Sequence, residues 1–141
     1  MLAVTQDRFR LAEVFTISRG SRTEAKVLTV RVARDGGAGW GECVPYARYG
    51  ETLDSVSAQI ESLPSGITRT DLQDALPAGA ARNAVDCALW DLEAKQVGCR
   101  VWDLAGLPPP APVITAFTLS LGTPEDMRKA AAKHAHRPLL K

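Results

Sequence analysis

The apolar period of this chain changes once, near residue 50, and that change restricts it to a small sheet followed by helices. In AKVLTVRVAR, residues 25–34, Leu28, Val30 and Val32 fall on one face and Thr29 and Arg31 on the other. Such alternation predicts a strand with one buried side. Asp35, Gly36 and Gly37 form a hairpin-type turn, and GWGE from Gly39 reads as the next strand, with Trp40 and Val44 suited to a half-buried sheet surface. Residues 2–15 read as a first strand anchored by Phe9, Leu11, Val14 and Phe15. The segment TISRGSRTE, 16–24, reads as a polar turn with two arginines around one glycine. Three sequential strands with short connections imply an antiparallel meander.

Beyond residue 50 the spacing is helical. Leu53, Val56, Ile60 and Leu63 predict a helix over 53–63, closed by Pro64-Ser65-Gly66. Thr68 or Thr70 caps a short helix through Leu76. Ala81, Ala84, Val85, Ala88, Leu89 and Leu92 give the segment 79–97 a face of small and apolar residues, and Gly98 suits the position after its end. A short helix over 101–105 leads into GLPPPAP, 106–112, a stiff connector of the kind found between domains. Residues 113–120, VITAFTLS, then read as a buried strand. A helix over 124–135 follows, with Thr123 as cap and Pro124 at its first position. Residues 137–141 start another strand. Strand, helix, strand opens a βαβ unit, so the sequence reads as a parallel architecture that stops before it can close.

A length of 141 residues with a net charge of +1 allows a real core and excludes a basic nucleic-acid stripe. The N-terminus lacks the apolar region of a secretory signal, and no apolar run approaches a membrane span. Cys43, Cys87 and Cys99 are odd in number and lack metal-ligand spacing. Free thiols in a cytoplasmic protein are expected, with Cys43 and Cys87 as small core residues. His134 and His136, at the end of a helix, read as surface residues. Asp86 and Asp91 read as helix-face or interface residues, and Glu42 as a structural partner on its strand.

GWGECVPYARYGE, 39–51, ends its strand at Pro45 and then places Tyr46, Arg48, Tyr49 and Glu51 in one loop. Tyr and Arg have apolar bodies with polar tips and recur in recognition surfaces. From composition alone, a recognition loop and an ordinary surface loop are equal readings. Arg19 and Arg22 have guanidinium forks that suit carboxylates, but from the residues alone they read as solvated loop arginines.

Motifs narrow these choices. The helix ARNAVDCALWDLEAKQVGCRVWDLAGL, 81–107, resembles the A…ALWDL…G…LLG pattern of the enolase superfamily, with Ala105 where Leu is commoner. FTISRGSRTEAKV, GWGECVPYARYGE and LPAGAARNAVDCALWDL resemble the dipeptide epimerases of the L-Ala-D/L-Glu type. The resemblance implies an α+β capping domain over 1–110, a three-stranded antiparallel meander followed by helices. It also implies the first βα unit and the start of a second strand of an incomplete (β/α) barrel over 111–141.

In that family a lysine takes the proton alpha to a carboxylate or carboxamide, Mg²⁺ stabilises the enediolate, and an opposing lysine returns the proton. By resemblance Lys141 is the first lysine of a K-x-K motif, auxiliary to the base. The base, the opposing lysine and all metal ligands have no match in this chain, so the chain alone is expected to be inactive and to hold no Mg²⁺. Arg19 is implied to pair with the acidic side chain of a dipeptide, with Arg22 as a second candidate. Tyr46, Arg48 and Tyr49 either line the specificity pocket, as the resemblance implies, or only brace their loop, and Thr118 either contacts substrate or is an ordinary core threonine. The full-length form is expected to be a homo-oligomer. Muconate cycloisomerase, o-succinylbenzoate synthase and a non-catalytic binding fragment remain alternatives, because the barrel decides the chemistry.

Overall fold

The computed structural model describes residues 1–141. Strands β1 (Leu2–Ile17), β2 (Gly20–Arg34) and β3 (Gly37–Cys43) come first, then a 3₁₀ turn at Ala47–Tyr49. Five helices follow: α1 (Leu53–Glu61), α2 (Arg69–Ala75), α3 (Ala80–Val97), α4 (Val101–Leu104) and α5 (Pro124–Lys133). The sheet order is β1-β2-β3. β2 and β3 are antiparallel, with Val30 opposite Gly41 and Val32 opposite Gly39. Asp35 and Gly36 both take positive φ, 49° and 79°, as the tight hairpin turn requires. The meander followed by helices is therefore the architecture that the sequence implies. Contacts divide the chain into two units, one of residues 1–8 and 26–109, the other of 9–25 and 110–141.

In the first unit, Leu28, Val30 and Val32 of β2 are fully buried, as the alternation predicts. They join Val56 and Ile60 of α1, Leu72 of α2, and Ala84, Val85, Ala88, Leu89 and Leu92 of α3 in one core. Each large buried side chain contributes about 1.5–3 kcal/mol. The close seat of α3 on β3 depends on two glycines. A Cβ at Gly39 would lie 2.0 Å from the Ala88 carbonyl oxygen, and one at Gly41 would lie 2.0 Å from that of Ala84. The outer edge of β3 is closed by α3 side chains. Asp91 accepts from the Trp40 N–H at 2.8 Å and from Lys95 at 2.6 Å, while Lys95 also donates to the Ala38 carbonyl. Arg69 of α2 lies 3.6 Å above the Trp90 ring and bonds Glu93, tying α2 to α3.

Thr52 and Ser55 form a reciprocal capping box on α1, and Thr68, not Thr70, caps α2. Gly98 closes α3 in the left-handed region. One expectation fails in this unit. Cys43 is buried but Cys87 is exposed, because it falls between the buried stripes of α3. Trp40 is 52% exposed, since it points away from α3 and stacks beneath Arg31.

In the second unit, the expected polar turn over 16–24 is largely strand. β1 runs on to Ile17 and β2 starts at Gly20, leaving only residues 18–19 as the connection. Polar residues extend the hairpin because backbone bonds, not burial, hold it; the anchors Phe9 and Val14 are themselves exposed. The expected buried strand over 113–120 does not form. Val113 and Ile114 are 80% and 70% exposed and have no ladder partner, and only a single parallel bridge joins Phe117 to Leu140. The strand expected over 137–141 contracts to the same bridge. Its bonds run from Phe117 N–H to the Leu139 carbonyl and from Lys141 N–H to the Phe117 carbonyl. The parallel sense matches a βαβ opening. Helix α5 carries the predicted Thr123 cap and Pro124 at its start, but ends at Lys133.

Candidate functional site

The sequence-predicted residues fall into two groups, one in each unit. In the second unit the hairpin end carries Arg19 and Arg22. Arg19 lies in the two-residue connection and is exposed. Arg22, on β2, lines a cavity of about 530 Å³ together with Thr118, Phe117, Glu13 and His134. The structure thus brings Arg22 and Thr118 to one cavity. Arg19 and Lys141 do not line it; Lys141 is held by backbone pairing with residues 117 and 119. The wall of the cavity is mostly apolar, from Leu11, Val14, Phe15 and Leu119. An arginine fork and a hydroxyl against such a wall can take a carboxylate with a short aliphatic stem.

Ser120, not singled out in the sequence, fixes this hairpin. Its Oγ accepts from the Thr16 N–H at 2.9 Å and donates to the Val14 carbonyl at 3.0 Å. The Leu121 N–H donates to the Thr16 carbonyl at 2.9 Å. Glu13 pairs with Lys133 at 2.7 Å, and that bond holds its carboxyl below the usual range. His134 is not the plain surface residue expected. Its ring packs on Phe117, with centroids 4.3 Å apart, and its Nδ1 is buried without a partner.

In the first unit, Tyr46 and Tyr49 flank the 3₁₀ turn with ring centroids 5.8 Å apart. They line a cleft of about 610 Å³ with Glu42, Cys43, Glu51 and Asn83. Arg48 does not line it. Glu51 is the second residue missed. Its carboxylate accepts from the Tyr46 N–H at 2.9 Å and from the Ala80 N–H at 2.7 Å. It therefore ties the tyrosine turn to the start of α3, where Gly79 supplies no side-chain cap. No sequence signal marks this, because the partners lie 29 residues apart along the chain. Burial, with Glu51 and Glu42 nearby, pushes the Cys43 thiol up to about 11, so it is no nucleophile. Nowhere do three His, Cys, Asp or Glu side chains meet in a group fit to hold a metal ion. No helix is long and apolar enough to cross a membrane.

Comparison with known proteins gives this geometry a family. L-Ala-D/L-Glu epimerase of Escherichia coli (strain K12) is 50% identical over 133 residues, which cover 92% of this chain and 41% of that protein. An enolase family member from Agrobacterium tumefaciens with homology to dipeptide epimerases, solved with bound sodium and L-Ala-L-Glu and an ordered loop, is 49% identical. It superposes with a TM-score of 0.93 over 99% of this chain and 44% of its own. Dipeptide epimerase from Methylococcus capsulatus, complexed with Mg and L-Arg-D-Lys, is 28% identical, with a TM-score of 0.84 over 99% of this chain and 44% of its own. The chain thus spans about two fifths of the length of these relatives. The family model for the mandelate racemase / muconate lactonizing enzyme N-terminal domain matches residues 1–106. This chain, with its meander, helical block and arginine-bearing hairpin, belongs to that family, within the enolase superfamily.

Proposed function

We propose that this chain is the substrate-selecting part of a Mg²⁺-dependent dipeptide epimerase that acts on L-Ala-D/L-Glu-type dipeptides by proton transfer at an alpha carbon. Residues 1–110 form the capping domain and 111–141 the opening of a (β/α) barrel. The observation that carries the reading is the shared cavity of Arg22 and Thr118 beneath the hairpin. Arg22, with Arg19 at the hairpin connection, pairs with the acidic side chain of the dipeptide. Thr118 offers a hydroxyl to the same ligand. Tyr46, Arg48 and Tyr49 shield the substrate from water through the second loop. Half identity to an L-Ala-D/L-Glu epimerase, and a neighbour that holds L-Ala-L-Glu, support an acidic dipeptide. The neighbour that holds L-Arg-D-Lys shows that the fold alone does not choose the side chain.

In the whole enzyme Mg²⁺ would stabilise the enediolate, but the side chains of this chain form no site for it. Lys141 matches the auxiliary lysine of K-x-K, and the reacting lysines have no counterpart among residues 1–141. The chain alone is therefore inactive. The whole enzyme is a cytoplasmic homo-oligomer that binds neither nucleic acid nor membrane. The test is an assay of the polypeptide that carries this chain, with L-Ala-D-Glu in deuterated water. Deuterium at the glutamate alpha carbon is the expected result, and its absence sinks the reading.

A further inference from the structure

We infer that Ser120 is a positioning residue that sets the acidic-side-chain preference of the site by holding the arginine hairpin against the segment that carries Thr118. The inference rests on the function proposed above. A two-stranded ribbon is marginally stable in water, and the hairpin end has no buried side chain at residues 18–23. Something other than core packing must fix it. The Ser120 hydroxyl takes the place of a neighbouring strand along the free edge of β1. It accepts from the Thr16 N–H and donates to the Val14 carbonyl, and the Leu121 N–H adds a third bond to the Thr16 carbonyl.

The effect continues across the hairpin. Thr16 Oγ1 and Ser21 Oγ lie 2.8 Å apart in a hydrogen bond. Ser21 precedes Arg22, and Thr16 lies three residues before Arg19. Ser120 is thus joined, through one backbone rung and one hydroxyl pair, to the segments that carry both arginines. It also lies two residues from Thr118. The distance between Arg22 and Thr118 is therefore set by a hydroxyl that touches neither. Alanine at 120 leaves the Thr16 N–H and the Val14 carbonyl to water. The hairpin then samples positions in which the arginine fork misses the side-chain carboxylate, a loss felt only by dipeptides whose second residue is acidic.

The experiment compares Ser120→Ala and Ser120→Thr with wild type in the polypeptide that carries this chain, using L-Ala-L-Glu and L-Ala-L-Leu. Loss of a bond to a charged group corresponds to about tenfold. Ser120→Ala is expected to raise KM for L-Ala-L-Glu about tenfold with kcat within about twofold. The kcat/KM ratio between the two dipeptides falls by the same factor. Ser120→Thr keeps the hydroxyl and restores both values. An unchanged KM, or an equal loss on both dipeptides, overturns the inference. Amide exchange in the 141-residue chain gives a second measure that needs no turnover: the Thr16 N–H should exchange at least tenfold faster in Ser120→Ala. An unchanged exchange rate overturns the clasp even if wild type turns over neither dipeptide, an outcome that would refute the proposed function separately.

Discussion

Gly41→Ala tests the packing that positions everything else in the first unit. The added Cβ would sit 2.0 Å from the Ala84 carbonyl oxygen and 2.8 Å from the Ala88 nitrogen. Both are backbone atoms, so no rotamer relieves the clash and no side-chain truncation rescues it. A carbon and an oxygen need roughly 3.2 Å, so α3 must lift by about 1.2 Å. A gap of that size forfeits roughly half of the dispersion contacts beneath it. Val85, Leu89 and Leu92, all fully buried, then each lose about 1 kcal/mol of their burial. The sum is about 3 kcal/mol, at the upper end for overpacked cores. For a chain of this size the melting temperature should fall by roughly 10 °C. Thermal unfolding followed by circular dichroism reads this directly, with urea unfolding as a check. Gly66→Ala is the control: a Cβ there meets nothing within 4 Å, and the change should stay within about 0.5 kcal/mol. If Gly41→Ala melts within about 3 °C of wild type, α3 does not rest on the glycines and the argument fails.

Three other perturbations follow from the same geometry. Asp91→Ala frees the Trp40 N–H on the open edge of β3, so a loss of about 1–2 kcal/mol and concentration-dependent light scattering are expected. Glu51→Ala removes both bonds that tie the tyrosine turn to α3, and the Tyr46 and Ala80 amides should lose exchange protection together; independent responses would refute the shared tie. Cys43, with its thiol pushed up to about 11, should alkylate at pH 8 roughly 100-fold more slowly than an ordinary thiol. Its folded value lies above the unfolded one of 9.0, so its contribution is complete well below pH 9 and falls as pH rises toward 11. Stability should drop by about 2–3 kcal/mol across that window, and Cys43→Ala should flatten the profile.

What the sequence discloses depends on whether burial leaves a period. Val30 and Val32 alternate, Ala84 and Ala88 recur one turn apart, and both elements stand where the pattern puts them. Cys87 shows the cost of judging a residue by type, since its helical position already sets it off the buried face. The hairpin over 16–24 reads as a turn in the sequence because its strands bury little, and ladder bonds between polar residues leave no periodic mark. Residues 113–120 erred in the opposite direction: an apolar run names a strand only when a partner is at hand, and Val113 and Ile114 have none here. Of the site, the sequence offers Arg22 and Thr118 separately but not the cavity they share, nor the bonds by which Ser120 holds the hairpin and Glu51 the tyrosine turn. Ser120 bonds to backbone groups more than a hundred residues away, and Glu51 joins a near one at Tyr46 to a distant one at Ala80, so neither leaves a local pattern.

β2 buries Val27 through Val32 apart from Thr29 and Arg31, yet leaves all of residues 20–23 exposed. One strand thus answers to two kinds of selection. Changes near Val30 are judged by whether the domain folds, and those near Arg22, on the proposed function, by what the site binds. Exposed positions typically tolerate replacement within about 0.5 kcal/mol. Ligand preference can therefore drift at the hairpin end while the fold stays put. A solved relative only 28% identical keeps the fold, with a TM-score of 0.84, and is complexed with L-Arg-D-Lys. Libraries randomised over residues 18–23, with Ser120 retained, are the natural place to redirect this scaffold.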